Sequence, residues 1–133
     1  MTFMKTAATS ILALGMTVGG AFAEGISTHV LDLGRGIGGS GVPVTLEQSQ
    51  SDGWTQVASA ITAENGRVDA FDVDAEEGIY RLTFDLQGYD GFEGGEPPFF
   101  PQIVVPFKID DASAHYHVPI VLSPYGYSTY RGN

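Results

Sequence analysis

Apolar and polar residues alternate with a period of two along most of this chain, and no stretch of a dozen residues sustains the spacing of an amphipathic helix. In ISTHVLDL, Ile26, Thr28 and Val30 stand against Ser27, His29 and Leu31; in VPVTLEQ, Val42, Val44 and Leu46 stand against Thr45 and Glu47. The division is sharpest in GIYRLTFDL, where Tyr80, Leu82, Phe84 and Leu86 oppose Arg81, Thr83 and Asp85. WTQVASAIT is a weaker strand, closed by the turn chemistry of Glu64, Asn65 and Gly66. QIVVPFKI and HYHVPIVL follow, each with a proline (Pro106, Pro119) that marks an edge position or a bulge. About seven or eight short strands at this spacing predict an all-β sandwich. Between Gly88 and Pro101 the glycines and prolines of GYDGFEGGEPPFFP interrupt the alternation and predict a loop with room for one short helical turn.

The C-terminal run extends the pattern. Ser123, Pro124 and Gly126 fill the first, second and fourth positions of a type I turn, which predicts a closing hairpin. Counting outward from a Ser123–Gly126 pair sets Gly132 opposite His117. On the outgoing strand Tyr116, Val118, Ile120 and Leu122 make the core face. His115, His117 and Pro119 point the other way, toward solvent or a second subunit.

The first residues fall outside this fold. Lys5, a mildly apolar stretch and the sequence Ala21-Phe22-Ala23 read as a secretory signal peptide over residues 1–23, which predicts export to a bacterial periplasm and one mature domain over residues 24–133. Cysteine is absent, so an exported domain of this size must rely on its core, on subunit contacts, or on both. The formal net charge of −10 disfavours nucleic acid and anionic membrane, and neither is expected as a partner.

Candidate chemistry gathers at the end of the chain. His115 and His117 share one strand face and form a possible metal half-site, with His29 an imaginable third ligand; surface histidines without a role are the plainer reading. No G-x-S-x-G elbow and no cysteine nucleophile occur, and the glycines of GRGIGGSG have no helix after them to make a phosphate cradle. Arg67, just after the Asn65-Gly66 turn, reads equally as a solvated charge.

The segments STHVLD (27–32), GVPV (41–44), NGR (65–67), GIYRLTF (78–84), FFP (99–101) and the whole run from His115, in this order and spacing, resemble the transthyretin-related family and specifically its 5-hydroxyisourate hydrolase branch. The resemblance implies a transthyretin-like sandwich of two four-stranded sheets, with one short helix after the strand ending near Leu86. It also implies a homotetramer, a dimer of dimers, with sites in the channel between dimers. The family's two active-site histidines fall on His29 and His117, its arginine on Arg67 and its terminal tyrosine on Tyr130. Asn133 stands where the family has serine.

The activity implied is hydrolysis of 5-hydroxyisourate to 2-oxo-4-hydroxy-4-carboxy-5-ureidoimidazoline in urate breakdown. His29, Arg67 and His117 would be catalytic, and His29, Arg67, Tyr130 and Asn133 would contact substrate. A neutral imidazole takes a proton from water and a fixed guanidinium stabilises the oxyanion, so no metal or organic cofactor is implied. Either histidine can be the base; His117 is the working assignment, because the end of the chain lies beside it. The alternative is an exported transthyretin-like small-molecule-binding protein with weak or no hydrolase activity, a reading that Asn133 invites.

Overall fold

The computed structural model describes residues 25–133; the leader expected over residues 1–23 lies outside the described residues. Its strands are β1 (Gly25–Asp32), β2 (Ile37–Gly38), β3 (Pro43–Gln50), β4 (Gly53–Ile61), β5 (Arg67–Val68), β6 (Gly78–Asp85), β7 (Gln102–Ile109), β8 (His115–His117), β9 (Ile120–Ser123) and β10 (Gly126–Thr129). They form two sheets with the apolar faces turned inward. One is an antiparallel sheet in the order β4-β3-β6-β7. The other is ordered β10-β9-β1-β2, with β5 and β8 also paired to β1.

The second sheet counts six strand segments but is four strands wide. Residues of β8 and β9 meet β1 in one parallel register, Ser27 facing His117 and Val30 facing Ile120, so they are a single strand interrupted at Val118 and Pro119. Proline has no N–H to give the ladder. On the other edge of β1, β2 and β5 divide the strand between them, pairing at Leu31–Asp32 and at Thr28–His29. The hairpin register follows the turn: Ser123 pairs with Gly126, Ile120 with Thr129, and an isolated bridge joins His117 to Gly132.

Alternation decides which side chains fill the space between sheets. Tyr80, Leu82 and Phe84 of β6, Val44 and Leu46 of β3, Ile26 and Val30 of β1, and Ile120 and Leu122 of β9 are all buried. Pro106 sits on β7, the outer strand of its sheet, where a missing donor costs nothing. The expected helix after Leu86 is reduced to a three-residue 3-10 turn, Glu93–Gly95. Its residues Gly94 and Gly95 adopt φ of +78° and +70°, a left-handed backbone that cannot propagate a right-handed helix.

One buried carboxylate ties the long loop to β1. Asp32 is fully buried; it accepts the Tyr89 hydroxyl at 2.8 Å on Oδ2 and the Arg35 N–H at 3.1 Å on Oδ1. Arg35 in turn donates to the Gly91 carbonyl, so two loops close on the same strand end. Burial first, then the hydrogen bond and charge of Asp32, push the Tyr89 phenol well above its ordinary pKa of 10, which keeps it a donor. Tyr89→Phe leaves part of a buried carboxylate unpaired and is expected to lower unfolding free energy by about 1.5–3 kcal/mol, read from the urea midpoint at unchanged m-value.

Candidate active site

Three strands deliver the polar side chains to one end of the second sheet. Ser27 and His29 lie on β1, Arg67 on β5, His115 and His117 on β8. The registers set His29 directly opposite Arg67 and Ser27 directly opposite His117. The turn before β5 can lie flat on β1 only because residue 66 is glycine: its φ is +79°, and a Cβ there would stand 2.4 Å from the Val30 carbonyl oxygen. Asn65 Oδ1 accepts the Arg67 N–H at 3.0 Å, closing the turn. Its backbone carbonyl accepts from His29 Nε2 at 3.0 Å, so that nitrogen carries the ring hydrogen of the neutral His29.

His117 is held on two sides. Its Nδ1 lies 2.8 Å from Ser27 Oγ, and Gly132 donates its N–H to the His117 carbonyl at 2.8 Å. A Cβ on Gly132 would come within 2.4 Å of His117 Cδ2, so the terminal strand can press on the ring only as glycine. With Nδ1 and the Cδ2 edge occupied, Nε2 is the nitrogen left open. His115 runs alongside, its ring centroid 6.5 Å away at an interplanar angle of 14°, with Nε2 also 2.8 Å from Ser27 Oγ. These groups border a cleft of about 350 Å³, lined by Ser27, Arg67, Asp69, His115, His117 and Asn133.

Both candidate bases are kept neutral. Burial is the main cause and the Arg67 charge the second in lowering the pKa of His29 and of His117 below the ordinary 6.5; His117 also feels the neighbouring rings of His115 and His29. Among the described residues no acceptor holds the Arg67 guanidinium, and no group of three or more His, Cys, Asp or Glu is placed to hold a metal ion. His115 Nε2 and His117 Nδ1 converge on the Ser27 hydroxyl.

Arg67, His117 and Asn133 thus come together, and His29 stands beside Arg67 on the partly exposed edge of β1. Tyr130 does not join them in the protomer. It lines a second cleft of about 310 Å³ between the edge strands, with Val105–Lys108, Tyr116 and Thr129. The reason is local: β10 ends at Thr129, and Arg131 swings over the Tyr116 ring at 4.6 Å before Gly132 rejoins His117. Ser27 and Asp69 are the additions to the residues singled out from the sequence. Ser27 shares a strand face with His29, a signal the sequence held, but its partnership with β8 rests on a parallel register that no local pattern encodes.

Fold and cleft together define a two-sheet sandwich of the transthyretin type, bearing neutral imidazoles beside an unpaired guanidinium. The family model described as HIUase/Transthyretin family matches residues 26–132, and the chain belongs to that family. A 5-hydroxyisourate hydrolase of Salmonella typhi is 41% identical over 133 residues, covering 98% of this chain and 96% of its own. Among solved structures, that of Klebsiella pneumoniae 5-hydroxyisourate hydrolase superposes with a TM-score of 0.68 at 32% identity, covering 81% of this chain and 98% of that one. Sparus aurata transthyretin gives 0.72 at 28% identity, covering 80% and 95%.

Ring titration tests the electrostatics directly. His29 and His117 are expected to protonate below pH 6.5 in nitrogen-resolved NMR, and Arg67→Gln to raise both values by removing the second cause while burial still holds them down. Equal values with and without the guanidinium would show that its charge does not reach the rings.

Proposed function

We propose that this protein is a 5-hydroxyisourate hydrolase, acting in urate breakdown to give 2-oxo-4-hydroxy-4-carboxy-5-ureidoimidazoline. The observation that carries this reading is the cleft that pairs an open, neutral His117 Nε2 with an unpaired Arg67 in a chain of this family. His117 Nε2 takes a proton from water as the water oxygen attacks the ring amide carbonyl. The oxyanion that forms gains a cation whose charge does not titrate, Arg67, held at the site before the reaction begins. Collapse breaks the C–N bond, and the leaving nitrogen takes the proton back from His117. No metal or cofactor enters the sequence of steps.

His29 and Asn133 hold the substrate beside that pair, Asn133 through an amide that both donates and accepts. With its Nε2 hydrogen committed to the Asn65 carbonyl, His29 is better suited to orientation than to receiving a proton at that atom. Tyr130 contacts substrate across a subunit boundary, which makes its role depend on assembly. The protein is exported with cleavage after Ala23 and works as a homotetramer. Support for self-association comes from exposed large apolar side chains, among them Val104 on edge strand β7, Tyr127 on edge strand β10, and Leu33 and Tyr125 on the adjoining turns.

Ultraviolet absorbance of freshly generated 5-hydroxyisourate should decay faster with the purified protein, and a chelator should leave the rate unchanged. Alanine at His29, Arg67 or His117 is expected to cut kcat/KM by roughly 10²-fold or more, with the acid limb of the wild-type pH profile falling below the ordinary imidazole pKa. Binding without turnover would sink the hydrolase reading in favour of a small-molecule carrier. Light scattering across a dilution series should report a tetramer, and intact mass of the exported protein should start at Glu24; an active monomer would remove Tyr130 from the site.

A further inference from the structure

The His117 assignment leaves a question that the ring itself cannot answer. A neutral imidazole has one hydrogen, and His117 accepts a proton at Nε2 only if that hydrogen sits on Nδ1. Ser27 Oγ lies 2.8 Å from His117 Nδ1 and 2.8 Å from His115 Nε2, and the hydroxyl has one hydrogen to give. Two orders satisfy both contacts with neutral rings. In the first, His117 Nδ1–H donates to Ser27, and Ser27 O–H donates to His115 Nε2. In the reverse order His115 donates to Ser27 and Ser27 to His117, leaving a hydrogen on His117 Nε2 and no lone pair there for water.

Both orders leave His115 Nδ1 buried and without a partner, as an orphan N–H in the first and an orphan lone pair in the second, so that atom does not favour the first. The cleft does. Arg67 lines it together with His117, and its positive charge bears on the His117 ring. A cation favours the tautomer whose lone pair faces it, and a proton acceptor at Nε2 requires the hydrogen on Nδ1. Ser27 is almost fully buried, so no bulk water competes for its single hydrogen or scrambles the order.

We infer that Ser27 and His115 are positioning residues that lock His117 in the Nδ1–H form, with His115 Nε2 as the terminal acceptor of a His117–Ser27–His115 hydrogen-bond chain. This gives a use to the half-buried ring of His115, whose buried, unpartnered Nδ1 otherwise only costs stability. When His117 becomes an imidazolium, its Nδ1–H already points at an oxygen whose own hydrogen is engaged, so no hydroxyl has to rotate during proton transfer. The chain does for His117 what a buried carboxylate does for other base histidines, but with neutral groups only. The inference rests on His117 being the base of the proposed hydrolysis.

The test reads tautomer and rate separately. In uniformly 15N-labelled protein above pH 7, His117 should show a protonated Nδ1 and an unprotonated Nε2, and Ser27→Ala should turn this into a tautomer mixture. The same variant should lower kcat by about tenfold, the scale of one hydrogen bond, with KM for 5-hydroxyisourate little changed. His115→Leu should match it, His115→Gln should recover most of the rate because its amide oxygen can accept the Ser27 hydrogen, and the Ser27→Ala/His115→Leu double variant should be no worse than either single change. A wild-type His117 found as the Nε2–H form overturns the inference whether or not the protein turns over 5-hydroxyisourate. So does a Ser27→Ala protein with unchanged tautomer and kcat. Absence of hydrolysis with the Nδ1–H form intact would instead fail the proposed function and leave the hydrogen-bond chain standing.

Discussion

The parallel ladder between β1 and β8–β9 is the pairing on which the rest of this structure depends. It joins residues 90 positions apart, brings Ser27 against His117 and Val30 against Ile120, and in doing so makes both the centre of the second sheet and the floor of the cleft. Parallel neighbours need a long crossover. Here the crossover contains the entire first sheet, β3, β4, β6 and β7, so the ladder must close across that length of chain. Such long-range closure is slow and entropically costly. Its reward is a site whose groups come from distant parts of the chain and are fixed by a sheet rather than by a mobile loop.

Electrostatics in the cleft depend on charge being left unpaired. A guanidinium with a carboxylate partner would be neutralised before any oxyanion formed, and the chain carries ten more acidic than basic residues from which such a partner could have come. Yet the bidentate pairing goes to Arg81, whose Nε lies 3.0 Å from Glu47 Oε1 on the outer face of the other sheet. Arg67 stays free, lowers the pKa of both imidazoles and faces the space a substrate would fill. In the proposed hydrolysis one charge thereby adds to burial in keeping the base deprotonated and remains available to the negative charge that the base creates.

The sequence was most legible where chemistry is local. Turn residues at Ser123, Pro124 and Gly126 were enough to set the last hairpin and to put Gly132 opposite His117, because a tight turn fixes register and register fixes every later pair. Alternation likewise divided β6 correctly into Tyr80, Leu82 and Phe84 inside and Arg81 and Thr83 outside. What stayed hidden was non-local or exceptional. Nothing in ISTHVLD says that Ser27 meets His115, and the His-x-His spacing suits a metal half-site as well as a hydrogen-bond chain. Tyr130, which the resemblance places in the site through the family's terminal motif, lines the other cleft of the protomer because the strand ends at Thr129. The expected helix fell to two consecutive glycines in left-handed conformation, a breaker already present in the sequence.

The interruption at Val118 and Pro119 also explains why the chain's last residues are held rather than frayed. Breaking a central strand strands carbonyl oxygens in the core of a sheet, and a buried carbonyl without a partner is costly. Two threonines meet that need from opposite neighbours: Thr28 Oγ1 of β1 donates to the Val118 carbonyl at 2.6 Å, and Thr129 Oγ1 at the end of β10 donates to the Pro119 carbonyl at 2.9 Å. The second of these binds the terminal strand to the break. Three residues on, Gly132 bridges back to His117 and Asn133 enters the cleft. The tail is therefore ordered because the strand it accompanies is imperfect, and the same imperfection separates the histidine-bearing segment β8 from the purely structural β9. A proline that weakens the ladder leaves one strand to serve the active site on one side of the break and the core on the other.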